Sequence, residues 1–259
     1  MMAKLTMTEI LEKPRPRHDI ERIELQDRLS AIDRDPVALQ ELIKELYGSG
    51  TENPHMLYFA ATHLTSLSYL DRQNEDGDQL LPTTDEAARG FATYTRLLSM
   101  LTEERNSPMY AENDRIRRRL SGMREELAFH TVLAYATSQG GDFVALPSPA
   151  ELDFSGAEEA SDLRIFFPDG GPPSLDVQVT TNPEEKYAKG QNYHPRIPIL
   201  SMSAALGDPE RAAQVRILLS NIGSREESMS GRIKLRRRER ITLLDAAASI
   251  LQSAQVWNR

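Results

Sequence analysis

The chain is predicted to be an α+β protein, in which a helical amino-terminal module leads into a small mixed central sheet flanked by helices. Three observations predict this. Apolar residues recur at helical spacing up to about residue 138, short β-rich runs separated by turn formers occupy residues 143–202, and helical signals return at Asp208-Pro209. With 259 residues and 39% hydrophobic content, the chain can bury one large core or two small ones. We divide it into an arm over residues 1–18, a helical module over 19–106 and an α/β domain over 107–259 that ends in a basic helix.

The elements follow in order. Lys13-Pro14-Arg15-Pro16-Arg17 opposes helix formation and predicts a loose arm. Residues 19–32 carry Ile20, Ile23, Leu25, Leu29 and Ile32 at roughly helical spacing. Asp35-Pro36 opens a helix over 37–47 that Gly48 closes, and Asn53-Pro54 opens another over 55–70. Asp71 to Asp78 is an acidic stretch without the glycine and glutamate positions of a calcium loop, so a surface loop is expected. A helix over 84–105, capped by Thr84 or Asp85, turns Phe91, Tyr94, Leu97 and Leu98 inward. The next helix, over 107–138 with a candidate break at Gly122, stops at Gly140-Gly141.

Strands come next. Residues 143–146 form the first, and 163–167 and 175–179 flank Pro168-Asp169-Gly170-Gly171-Pro172-Pro173 as a hairpin. In the second hairpin strand Leu175, Val177 and Val179 share one face, while Asp176, Gln178 and Thr180 share the other. Asn182-Pro183 starts a short helix, residues 196–202 read as a strand with Pro198 marking an edge or a start, and helices over 210–221 and 232–255 finish the chain.

Composition narrows the function classes. No cysteine is present, which removes disulfides, thiolate catalysis and cysteine metal sites; no apolar run approaches the ~18 residues of a membrane span, and the first residues lack a signal core. A cytoplasmic protein without a membrane partner is expected. The net charge of −8 conceals an asymmetry: residues 181–259 hold 13 Lys and Arg against 8 Asp and Glu, leaving 18 against 31 in residues 1–180. Within the basic end, Lys234, Arg236, Arg237 and Arg238 are candidate phosphate contacts, and Arg115, Arg117, Arg118 and Arg119 form a smaller cluster. His18, His55, His63, His130 and His194 make no zinc pattern, and no glycine-rich phosphate loop or nucleophile elbow occurs.

From residue 107 the order helix, three strands, short helix, strand, helix resembles that of the PD-(D/E)XK nuclease superfamily, the restriction-endonuclease-like fold. The resemblance spans roughly residues 122–202. Gly122-Met123-Arg124-Glu125-Glu126-Leu127 is similar to the family's leading helix with its glutamate, Asp162 opens the second strand as the metal-binding aspartate does, and Val177-Gln178-Val179-Thr180 is similar to the Glu-x-Lys strand, with Gln178 at the acid position.

The resemblance implies a metal-dependent nuclease, with DNA expected over RNA. Magnesium or manganese would offset charge on the scissile phosphate and activate water, held by Asp162, Gln178 and Glu126, or Glu125 in its place. Thr180 stands where the family carries lysine, and Lys186 or Lys189 on the following helix is the replacement to consider. In a second register Asp176 is the acid and Gln178 takes the lysine position. Two other readings follow from the same residues. One is a catalytically degenerate domain that binds nucleic acid or a protein partner; the other is a helical interaction module whose hairpin is incidental, with Asp176, Gln178 and Thr180 as a solvent face.

Overall fold

The computed structural model describes residues 69–106, 114–147, 161–168, 174–184, 197–225 and 233–256. The arm, the helices expected over 19–32 and 37–47 and most of that over 55–70, together with Lys186 and Lys189, lie outside these residues; Tyr69 and Leu70 are helical and buried.

The acidic stretch after them is a hairpin. Strands β1 (Arg72–Gln73) and β2 (Gln79–Leu80) pair antiparallel where a plain loop was expected, because the Asn74 side chain accepts from the Asp76 and Asp78 amides and closes the turn at Gly77. Helix α1 (Thr84–Arg105) has the expected span but a different cap. Thr83 Oγ1 accepts from the Glu86 amide at 3.2 Å while the Glu86 carboxylate accepts from the Thr83 amide at 2.8 Å, a reciprocal capping box.

Helix α2 (Asp114–Ser138) runs unbroken through Gly122, and every residue from Leu127 to Ser138 is buried. A helical segment buried on every side lies at the centre of the core. It ends as the glycines require: Gly140 takes φ +92°, its amide donates to the Thr137 carbonyl, and the Gly141 amide reaches back to Ala136.

Four strands follow in the spatial order β3 (Val144–Pro147), β4 (Leu163–Phe166), β5 (Leu175–Val179) and β6 (Ile199–Leu200). β3 with β4 and β4 with β5 pair antiparallel, and β6 lies parallel to β5, so the sheet is mixed as predicted. Period-two alternation holds in β4 and β5: Leu163, Ile165, Leu175, Val177 and Val179 are buried, while Arg164, Phe166, Asp176 and Gln178 are half-buried on the other face. β6 is shorter than the seven residues expected. Ser201 turns its hydroxyl to the Ala204 amide and starts helix α3 (Met202–Leu206), which Gly207 closes in the left-handed region.

Asp208 then caps helix α4 (Pro209–Gly223), with Pro209 at its first turn, and helix α5 (Arg237–Val256) completes the described chain. Apolar residues of α1, α2, the sheet, α3, α4 and α5 join one continuous cluster, so the core runs unbroken across the boundary drawn at residues 106 and 107. α1 packs along α2 and also against α4. There the contact is unusually close: a Cβ on Gly223 would stand 1.9 Å from the Thr95 carbonyl oxygen, so only glycine fits this crossing.

No helix among the described residues is long and apolar enough to cross a membrane.

Candidate functional site

The sheet's polar face is organised by register. Arg164 lies opposite Asp176 in the β4–β5 ladder, and its guanidinium donates through Nε to Oδ1 at 2.6 Å and through a terminal nitrogen to Oδ2 at 3.0 Å. Ser161 Oγ adds a longer contact of 3.4 Å to Oδ1. The hydrogen bond to Asp176 raises the Arg164 pKa above its ordinary value, the direction expected when a cation gains an anionic partner.

Asp162 is used differently. Its amide donates to the Val177 carbonyl at 2.9 Å, and its carboxylate accepts from the Val179 amide at 2.5 Å, so the side chain closes the end of the ladder. Gln178 and Thr180 donate their amides to Pro198 and Leu200 and thereby hold β6, while Thr180 Oγ1 accepts from the Asn182 amide at 3.3 Å. The structure therefore gathers Asp162, Asp176 and Gln178 on one half-buried strip of β4 and β5, with Thr180 at its end.

On α2 the two adjacent glutamates part company. Glu126 is half-buried, whereas Glu125 is 2% exposed. Glu125 Oε1 accepts from the Met202 amide at 2.6 Å, and Arg216 from α4 grips both oxygens at 2.8 Å. This carboxylate joins α2, the start of α3 and the middle of α4. His130, next to the same core, stacks on Tyr94 with ring centroids 5.4 Å apart, which accounts for it as packing.

Among the described residues, no group of three or more histidines or acids stands where it could hold a metal ion. Three of the acids that the family resemblance brings forward are engaged within the protein. A hard cation needs several converging oxygens. Asp176 gives both of its oxygens to Arg164, Glu125 gives both to Arg216, and Asp162 is bonded to a backbone amide.

Two cationic features stand out instead. In the first, Lys234, Arg236, Arg237 and Arg238 are all exposed at the start of α5. Glu239 anchors this segment, accepting from the Arg236 amide at 2.8 Å and pairing with Arg225 at 2.5 Å. The Arg225 hydrogen bond, ahead of the other contacts, lowers the Glu239 pKa below the usual glutamate value.

The second is a cleft of about 650 Å³ beside the carboxyl end of β5, walled by α1, α2, α3 and α4. Arg105, Arg117, Arg118, Arg124 and Arg216 line it. Arg117 and Arg118 belong to a cluster visible in the sequence, but Arg105, Arg124 and Arg216 stand alone in their segments and meet only through helix packing. Arg164 was equally hidden, since its partner depends on the hairpin register.

No family model, curated protein or solved structure matches the chain.

Proposed function

We propose that this protein binds nucleic acid, DNA in the first instance, on a PD-(D/E)XK-like core whose acids serve structure rather than catalysis. The exposed basic segment Lys234, Arg236, Arg237 and Arg238 carries the reading. Arg236, Arg237 and Arg238 add exposed positive charge to the positive end of the helix dipole, with Glu239 as the acid of the first turn, and such a surface suits an anionic partner. Phosphates supply such a partner and release counterions on binding.

A leading helix, a three-stranded antiparallel meander and a parallel fourth strand support the resemblance to the nuclease fold. The pairing of Asp176 with Arg164 favours binding over cleavage, because an acid neutralised by a guanidinium is a poor ligand for a cation.

A gel-shift titration with duplex DNA should show affinity falling steeply with salt. Replacing Lys234, Arg236, Arg237 and Arg238 with glutamine should lower the slope of log affinity against log salt by about one for each phosphate contact removed. An unchanged slope would refute the role of this segment. The same samples, incubated with magnesium or manganese, should leave the DNA intact. Metal-dependent cleavage that disappears in Asp162→Ala would replace the binding reading with the nuclease one.

A further inference from the structure

We propose that the arginine-lined cleft is a separate binding site for a compact polyanion, two or more adjacent phosphate groups, held by Arg105, Arg117, Arg118, Arg124 and Arg216. Helices α1, α2 and α4 bring these side chains together around the recess.

Charge balance is the first argument. Among the described residues the lining holds five arginines and two acids, Asp114 and Glu125, and Glu125 is already committed to Arg216. The protein partners of two others are neutral: Arg105 Nε donates to Ser121 Oγ at 2.9 Å, and Arg124 Nε donates to Thr102 Oγ1 at 3.0 Å. Such bonds fix a guanidinium's direction without cancelling its charge. Burial, followed by repulsion from Arg105 and Arg216, pushes the Arg124 pKa down to about 10. At neutral pH it remains protonated, so it keeps its positive charge beside Arg105 and Arg216.

Size and chemistry define the ligand. A volume of about 650 Å³ lies within the range of small-molecule sites, and planar guanidinium forks match phosphate oxygens two at a time. Thr181 at the end of β5 and Ser203 in α3 contribute hydroxyls to the wall. Among the described residues the lining is cationic and polar with no aromatic side chain, so what these residues offer a ligand is phosphate recognition. The site also lies beyond the carboxyl ends of the parallel strands β5 and β6, where open sheets with such strands commonly leave a binding crevice. This inference does not depend on the nucleic-acid reading of the α5 segment.

Thermal melting of the full chain with sodium tripolyphosphate, against sodium sulfate and sodium chloride at matched ionic strength, tests it. Tripolyphosphate should raise the melting temperature saturably, and the other salts should not. Arg118→Gln, an exposed position whose replacement leaves the core intact, and Arg124→Gln should each weaken tripolyphosphate binding about tenfold, the size of one lost charge-assisted contact. Arg236→Gln on α5 should leave it unchanged, so failure of the cleft and failure of the α5 segment register separately. Equal shifts in all three salts, or an unaltered affinity in Arg118→Gln, would overturn the proposal. Competition with a single strand bearing a 5′-phosphate, and with the same strand bearing a 5′-hydroxyl, identifies the source. Displacement by the phosphorylated strand alone supports a strand end, displacement by both supports backbone phosphates, and displacement by neither supports a free oligophosphate.

Discussion

Two arginine–carboxylate pairs with nearly the same geometry do different work in this molecule. Glu125 and Arg216 meet between the helices, where the acid is 2% exposed and the arginine, at the cleft wall, 29%; Asp176 and Arg164 meet across the open face of the sheet at 28% and 34% exposure. Both are bidentate. The distances are alike and the burial of the acid is not, so access of water to the carboxylate rather than geometry decides what each pair contributes. A buried pair chiefly punishes its own disruption, because the survivor keeps an uncompensated charge. A pair in contact with water loses little when broken, since water resolvates both partners.

Breaking the buried pair should produce the largest effect. Arg216→Met leaves the Glu125 carboxylate without its cation, and a loss of about 3–5 kcal/mol is expected, read in chemical denaturation or as a melting temperature lowered by roughly 6–20 °C. The double variant Glu125→Leu with Arg216→Met should recover much of that loss. A double variant as unstable as Arg216→Met alone would show that the bond from the Met202 amide to Glu125, rather than the charge pair, is the essential contact.

An intermediate case sharpens the contrast. Glu239, whose side chain is 12% exposed, pairs with Arg225 and caps α5. Its folded-state pKa lies below the ordinary glutamate value, so its contribution is fully present above that value and is lost as pH falls through the lowered one. Melting followed from pH 7 into the acid range should therefore show a deficit of Glu239→Gln relative to the parent at neutral pH that closes as the solution becomes acidic. A deficit independent of pH would assign the residue a packing role instead.

The smallest effect belongs to the sheet. Arg164→Gln should destabilise by under about 1 kcal/mol, consistent with a pair that shares its face with solvent. It also returns both Asp176 oxygens to solvent. If magnesium affinity, followed by calorimetry, appears in this variant and is absent from the parent, the guanidinium is what withholds the sheet's acids from a cation.

Much of this architecture was legible because local chemistry and tertiary structure agree. Leu175, Val177 and Val179 announced β5 by alternation, Asp208-Pro209 announced α4, and Gly140 marked the end of α2 where a positive φ is required. α3 was missed because five residues span less than one and a half turns, too few to display a helical period. That helix also shortened β6, since Ser201 serves as its cap rather than as a strand residue. On the candidate site, alternation correctly put Asp176 and Gln178 on one face but could not show that Asp176 would be met by Arg164. Of the two glutamates on α2, only packing separates the buried Glu125 from the half-buried Glu126. The arginine cleft was largely invisible for the same reason, as its members arrive from segments more than a hundred residues apart.

The glycine crossing gives the cleft a mechanical property. α1 and α4 touch at Thr95 and Gly223, and each helix carries one arginine away from that point: Arg105 lies ten residues along α1, and Arg216 seven residues back along α4. At about 1.5 Å per residue these arms are roughly 15 Å and 10 Å long. The two helices thus act as the legs of a divider whose joint is a missing methyl group. A change of about ten degrees in the crossing angle would carry Arg216 by nearly 2 Å, enough to make or lose a hydrogen bond at the middle of α4. The spacing of the charges that would receive a ligand is set at a contact the ligand never reaches.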